Sequence, residues 1–187
     1  QANGISIDSR TISEGDLFIA LKGKSFDGHN FVIDALKRGA VAALVEVKPK
    51  GVAQNAPVLT VFNTMEALGR LAASARSRTT AKVITITGSV GKTGTKDLVA
   101  AGLASKGLTS RTEGNLNNHI GLPLSLARMP KDTKFGIFEI GMNAKGEITQ
   151  LSRLARPHIA IITAIEAAHI GFFKNLGGIA EAKSEIF

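Results

Sequence analysis

A β-branched run that ends in glycines and leads into a helix constrains this chain most. Residues 83–95 read VITITGSVGKTGT. The β-branched part predicts a buried strand, the glycines allow a tight turn with inward N–H groups, and the following helix adds partial positive charge. Such a turn binds phosphate, with Lys92 reaching phosphate oxygens and the Thr93 hydroxyl ligating Mg²⁺. The common motif has four residues between its glycines, whereas Gly88 and Gly91 enclose two, so a glycine-rich turn with an incidental lysine is the alternative.

Composition and charge exclude several classes of protein. The 187 residues carry 23 Lys and Arg against 15 Asp and Glu, a net charge of +8, and no cysteine. The absence of cysteine excludes a disulfide scaffold and is compatible with the reducing cytosol. No apolar run reaches the ~18–20 residues of a membrane-spanning helix. The basic residues are dispersed, without aromatic interleaving, which favours phosphorylated small molecules over nucleic acid.

Apolar periodicity predicts two α/β segments with a boundary near residue 80. In the first, strands are expected at residues 17–21, 41–47 and 57–62, with a helix that ends before Gly39 and another capped by Asn63 and Glu66. In the second, strands are expected at residues 83–87, 135–140 and 159–165, with helices at 95–105 and before Pro157. Strand–helix alternation of this kind favours parallel sheets covered by helices. The predicted domains are therefore residues 1–80 and 81–187.

Three residues downstream of the glycine turn are candidates for chemistry. Glu139 ends a predicted strand, where a parallel sheet binds ligands and where its carboxylate could meet the phosphate loop. His169 follows the next strand, and Lys183 lies in the predicted helix IAEAKSEIF. Taken singly, His169 is more often an ordinary loop histidine and Lys183 a solvated helix lysine, and a solvated strand-end charge is the alternative for Glu139. They become informative only as a group.

An asparagine-rich stretch follows the second segment's first helix. Residues 113–123 read EGNLNNHIGLP, which favours neither helix nor strand. The amides could bind a polar substrate, or they could simply form an Asx-rich turn. Composition leaves both interpretations open.

Together these motifs resemble the Mur ligases. The resemblance rests on TGSVGKTGTKD, GNLNNHIGLP, FEIGMN and AHIGFF followed by AEAKSEIF, in this order. Residues 6–31, SIDSRTISEGDLFIALKGKSFDGHNF, are similar to the segment with which these enzymes hold a uridine nucleotide. The resemblance implies a small N-terminal α/β domain that binds the UDP-linked substrate, followed by a truncated ATPase domain with a phosphate loop and a parallel sheet. Because the chain begins with Gln1 and stops at Phe187, it is expected to be a fragment that lacks a C-terminal domain and is inactive alone.

The resemblance also implies residue roles. Lys92, Glu139, His169 and Lys183 are the expected catalytic residues. Thr93 and Glu139 are expected to hold one Mg²⁺, and His169 and Lys183 a second, with Lys183 carried as a carbamate. The residues expected to bind the ATP phosphates are Gly88, Ser89, Val90, Gly91, Lys92, Thr93 and Gly94. The residues expected to contact the UDP-linked peptide are Ser9, Arg10, Lys22, Asn115, Asn117 and Asn118.

The activity implied is ATP-dependent amide formation through an acyl phosphate, in peptidoglycan precursor synthesis. The asparagine-rich loop favours members that join D-alanyl-D-alanine to a UDP-N-acetylmuramoyl tripeptide. Two alternatives remain open, namely a family member with another amino substrate and a phosphate-loop NTPase of different function. A cytoplasmic monomer is expected, without nucleic-acid partner or membrane span.

Overall fold

The computed structural model describes residues 2–23, 25–167, 173 and 175–187. They pack as two compact units, residues 1–70 and 71–187. No helix within the described ranges is long and apolar enough to cross a membrane. The expected α/β class with parallel sheets is confirmed in both units. The proposed boundary of separately folding domains near residue 80 stays a prediction.

A parallel sheet of short strands forms the first unit. Its described strands follow chain order and are β1 (Gly4–Ser6), β2 (Asp16–Ile19), β3 (Ala42–Val45) and β4 (Val58–Thr60). Phe18 pairs in register with Ala43, and both side chains are buried together with Val32 and Ala35 of helix α1 (Val32–Lys37). The apolar periodicity at the start of the chain therefore marks one face of this core.

The two helix ends predicted in the first unit are largely confirmed. Gly39 follows α1 with φ +107°, a backbone conformation that favours glycine. Helix α2 (Thr64–Ser77) begins after Asn63, whose Oδ1 accepts a hydrogen bond of 2.8 Å from the Glu66 N–H. The reciprocal half of the predicted capping box is absent, because the Glu66 side chain pairs with Arg70 at 2.7 Å instead.

The second unit is built on a parallel sheet with the glycine-turn strand inside it. Its described strands are β5 (Lys82–Thr87), β6 (Thr109–Arg111), β7 (Phe135–Glu139) and β8 (Ile159–Ile162), in the order β6-β7-β5-β8. Its helices are α3 (Lys92–Ala104), α4 (Gly121–Arg128), α5 (Glu147–Ala155) and α6 (Leu176–Ser184). Because β5 lies between β7 and β8, the strand order reverses at its carboxyl end, where doubly wound sheets bind ligands.

Several sequence-based expectations in the second unit need correction. Helix α3 begins at Lys92 rather than residue 95, so the lysine and threonine of the motif lie in its first turn. Strand β8 ends at Ile162 rather than residue 165. Part of the stretch assigned to a loop is helical, because α4 starts at Gly121 and accepts Pro123 in its first turn. Strands β1 and β6, each three residues long, were not predicted.

Candidate functional site

The glycine turn links β5 to α3 in a backbone conformation that needs its glycines. Gly91 precedes α3 with φ +82°, and Gly88 has φ +153°. A Cβ on Gly88 would collide with the Oγ1 of Thr163, which follows β8. The free N–H groups of the first turn of α3 thus lie at the carboxyl end of β5, in an arrangement that attracts an anion.

The turn is held by the segment that follows β8. The Ser89 N–H donates to the Ala164 carbonyl at 2.8 Å. The Ser89 hydroxyl donates to the Glu166 carbonyl at 3.0 Å and accepts from the Glu166 N–H at 2.9 Å. Ser89 is therefore buried as an anchor of the turn, whereas Val90 is 55% exposed at its tip.

Lys92 is half-buried within the turn. Its Nζ donates a hydrogen bond of 2.7 Å to the Gly88 carbonyl. Burial lowers the pKa of Lys92, and the negative charge of Glu139 opposes that shift. The ammonium is thus close to the turn and partly desolvated, which strengthens its attraction for an anion.

Glu139 ends β7 beside the glycine turn and is 1% exposed. Its backbone N–H donates to the Thr112 hydroxyl at 2.9 Å, which fixes the strand end. The Thr93 hydroxyl lies 3.4 Å from its Oε2, and the Lys96 ammonium lies 3.3 Å from its Oε1 as an ion-pair partner. No hydrogen bond reaches Oε1 from any described residue.

Lys183 lies on α6, 2% exposed. Burial, and secondly the positive charge of Lys92, lower its pKa from 10.5 to about 8. Among the described residues its side-chain ammonium has neither a hydrogen-bond nor an ion-pair partner. His169, the other residue expected at this place, lies outside the described residues.

The asparagine-rich loop meets Lys92 in a cleft of about 220 Å³. Asn117 and Asn118 line it, whereas Asn115 does not. The Asn118 Oδ1 accepts hydrogen bonds of 3.0 and 2.9 Å from the N–H groups of residues 120 and 121, so it caps the start of α4. This leaves its amide NH₂ group available to a ligand.

The predicted residues of the first unit divide between two places. Lys22 lines a cleft of about 520 Å³ with Lys48 and Lys50, two lysines to which no role was assigned. Ser9 and Arg10 do not line this cleft. Ser9 is buried, and the exposed Arg10 pairs with Asp8 at 2.6 Å, which lowers the pKa of that carboxyl to about 2.

A larger cleft of about 730 Å³, which sequence reasoning missed, begins at Thr93 and Lys96 and follows β6 toward α4. Strand β6, which was not predicted, forms part of the wall of this cleft. No motif in the sequence indicates the cleft.

Comparison with known protein families decides the relationship of the chain. The Mur ligase middle domain matches residues 86–187, and the Mur ligase family catalytic domain matches residues 1–76. The chain belongs to the Mur ligase family. The proposed resemblance is thereby confirmed.

Individual proteins that are similar to this Mur ligase chain support the same family assignment. It is 43% identical over 185 residues to the UDP-N-acetylmuramoyl-tripeptide–D-alanyl-D-alanine ligase of Rickettsia prowazekii, covering 99% of this chain and 41% of that protein. The crystal structure of MurF from Acinetobacter baumannii superposes with a TM-score of 0.87 at 42% identity, covering 97% of this chain and 40% of that one. MurF from Thermotoga maritima, solved in complex with ADP, gives 0.83 at 34% identity, covering 98% and 42%. The Mur ligase chain thus spans about 40% of the length of its relatives.

Proposed function

We propose that this chain forms the UDP-substrate and ATP-phosphate part of a ligase that joins D-alanyl-D-alanine to a UDP-N-acetylmuramoyl tripeptide. The relatives that carry this name are similar over nearly the whole chain. The observation that carries the proposal is the grouping of Lys92, Thr93 and Glu139 at the carboxyl edge of the sheet. Two anions must meet in such a reaction, and this edge offers the charges that offset their repulsion.

A magnesium ion fits the residues present. The Thr93 hydroxyl and the Glu139 carboxylate are oxygen ligands of the kind Mg²⁺ prefers, and the Glu139 Oε2 is the carboxylate oxygen on the side of Thr93, 3.4 Å from its hydroxyl. Across the described ranges, no three His, Asp or Glu side chains form a metal site of their own, and nucleotide-bound Mg²⁺ needs only one or two carboxylates besides phosphate. When bound, the ion would neutralise charge on the transferred phosphoryl group.

Residues of the turn would bind ATP. The N–H groups of residues 88–94, except that of Ser89, which donates to the Ala164 carbonyl, would hold the phosphates together with the Lys92 ammonium. The peptide carboxylate then attacks the γ-phosphorus and ADP leaves. The amine of D-alanyl-D-alanine then attacks the acyl carbon, loses a proton and displaces phosphate. The chain's part is positioning and charge, supplied by Lys92 and by the start of α3.

Lys183 is proposed to become a carbamate. A lysine with its pKa lowered to about 8 has a substantial neutral fraction near neutral pH. Its nitrogen attacks the carbon of CO₂, an N–C bond forms, and the nitrogen releases a proton. The resulting carboxylate could serve a second ion with His169. Intact mass in bicarbonate buffer should show one added CO₂, absent in Lys183→Arg.

The same proposal assigns residues to the peptide part and to the nucleotide part of the substrate. Asn117 and Asn118 would face the muramoyl peptide beside Lys92, and Asn115 is the weakest of the three assignments because it lies outside their cleft. Lys22, joined by Lys48 and Lys50, would attract the diphosphate. Ser9 and Arg10 remain candidates for the uridine portion. Residues 1–80 and 81–187 are proposed as the two domains, in a cytoplasmic monomer.

A ligation assay tests the proposal. The full-length protein, with ATP, Mg²⁺ and UDP-N-acetylmuramoyl tripeptide, receives D-alanyl-D-alanine, L-lysine or D-glutamate as the amine. We expect amide product and ADP only with the dipeptide. Product with another amine would favour a different Mur ligase activity, and failure of the UDP-linked peptide to bind in a direct titration would exclude both.

A further inference from the structure

Lys96 is a buried cation to which the sequence assigns no role. It lies one helical turn after Lys92 on α3 and is 4% exposed. A lysine in a helix normally extends its ammonium into water, because burying an unpaired charge is costly. Its burial therefore needs a partner.

The Lys96 ammonium contacts the Thr112 carbonyl and the carboxylates of Glu139 and Asp97. The Lys96 Nζ donates a hydrogen bond of 3.2 Å to the Thr112 carbonyl, at the end of β6. It lies 3.3 Å from the Glu139 Oε1 and 3.5 Å from the Asp97 carboxylate. The other Glu139 oxygen, Oε2, lies on the side of Thr93.

We propose that Lys96 is a positioning residue that holds one Glu139 oxygen so that the other faces Thr93 and can bind a divalent cation together with a nucleotide. This inference rests on the proposed function, because it takes Glu139 and Thr93 as the cation ligands. Thr112 contacts both residues. Its hydroxyl accepts a hydrogen bond from the Glu139 N–H, and its carbonyl accepts one from the Lys96 ammonium.

Simple electrostatics and positioning make opposite predictions for removing Lys96. Loss of a nearby cation should strengthen the attraction of the site for a divalent cation. Loss of the group that orients a ligand should weaken binding, and outer partners of metal ligands are typically worth about 10–100-fold in metal affinity. The sign of the change therefore distinguishes the two.

The test is a titration of the full-length protein with Mn²⁺ in saturating ADP, with free Mn²⁺ measured by electron paramagnetic resonance. We expect Lys96→Met to weaken Mn²⁺ binding by about tenfold or more, and Lys96→Arg to recover part of the loss. In a Glu139→Gln background, Lys96→Met should add little further loss, because the ligand that it positions is already altered.

Arg111→Gln is the matched control. Arg111 is 52% exposed at its side chain and lies 3.0 Å from the Asp97 carboxylate, so its removal takes a cation from the same network without touching Glu139. Its Mn²⁺ affinity should equal that of the wild type. Circular dichroism checks folding, and if Lys96→Met does not fold, Lys96→Gln, which keeps an NH₂ donor without the charge, takes its place with the same expected weakening.

Two outcomes would overturn the inference in different ways. Wild-type protein that binds no Mn²⁺ with ADP would refute the proposed function and the role of Lys96 with it. Wild-type protein that binds Mn²⁺, with Lys96→Met or Lys96→Gln binding it equally or more tightly, would refute only the role of Lys96.

Discussion

Lys183 is enclosed in the second unit, where the positive charge of Lys92 acts on it. Burial first, and that charge second, lower the pKa of Lys183 from 10.5 to about 8. The folded protein thus binds a proton at this site less tightly than the unfolded chain does. Below pH 8, folding must bury the charged form, so Lys183 reduces the free energy of unfolding there.

The destabilisation caused by burying the charged Lys183 should appear in the pH dependence of the free energy of unfolding. Between pH 8 and 10.5 the folded state loses the proton while the unfolded state keeps it, so the contribution of Lys183 becomes less unfavourable as the pH rises. In CO₂-free buffer, Lys183→Met should raise the free energy of unfolding by up to about 3 kcal/mol at neutral pH, and by less as the pH approaches 10. Urea unfolding of both proteins at several pH values measures the difference.

Lys145→Met is the control for that measurement. Lys145 is 67% exposed at its side chain and pairs with Glu181 at 2.6 Å, so its replacement should change the free energy of unfolding little, and equally at every pH tested below 10. A difference between Lys183→Met and the wild type that stayed constant with pH would contradict the buried-charge explanation.

Replacement of Lys92 should affect catalysis far more than stability. Its ammonium donates to the Gly88 carbonyl at the phosphate loop. If it stabilises charge on the transferred phosphoryl group, Lys92→Ala should reduce kcat/KM for ligation by about 10³-fold. Lys82→Ala is the matched control, because Lys82 is exposed at the other end of β5. Near-normal ligation by Lys92→Ala in steady-state assays would contradict the role of Lys92 in stabilising charge on the phosphoryl group.

Helix α2 was predicted from periodicity, because one of its faces is buried and the other is exposed. Strand β5, in which residues 83–87 are all buried, was predicted from its run of β-branched residues instead, and both elements were located to within a few residues. Helix α4 was missed because residues 121–127 are all buried, so no polar face alternates with an apolar one. Strand β6 is a polar run of three residues whose only signal is its pairing with β7.

Some residues of the candidate site could be predicted from the sequence, and others could not. The placement of Glu139 near the glycine turn could be anticipated, because carboxyl ends of parallel strands share one edge of a sheet. The role of Lys96 could not, since a lysine on a helix normally indicates a solvated face and only tertiary packing buries it. Thr112 was likewise hidden, because it acts at the end of the unpredicted strand β6.

Gly88 and Gly102 form a matched pair for testing the turn. A Cβ on Gly88 would collide with Thr163, whereas a Cβ on Gly102, exposed within α3, meets nothing within 4 Å. Gly88→Ala should destabilise the turn and greatly weaken ADP binding, while Gly102→Ala should stabilise the protein by about 0.5–1 kcal/mol. Calorimetric ADP titration and thermal unfolding measure both. Tight ADP binding by a folded Gly88→Ala protein would show that the turn tolerates a side chain.

Glu185 caps a helix other than its own. Its carboxylate accepts hydrogen bonds from the Gly146 N–H at 2.8 Å, and from the N–H and hydroxyl of Thr149 at 3.1 Å each. These groups belong to the start of α5, whose first N–H groups have no partner inside the helix. Glu185 therefore joins α5 to the chain just after Lys183, and its truncation should expose those donors.

Glu185→Ala should accordingly lower the free energy of unfolding by about 1–2 kcal/mol. Glu181→Ala, four residues earlier, removes only an exposed pair with Lys145 and should cost less than about 1 kcal/mol. Hydrogen exchange separates capping from a general loss of stability, because the amides of Gly146 and Thr149 should lose more protection in Glu185→Ala than the central amides of β5. Equal loss across both sets would mean that Glu185 stabilises the unit as a whole rather than the start of α5.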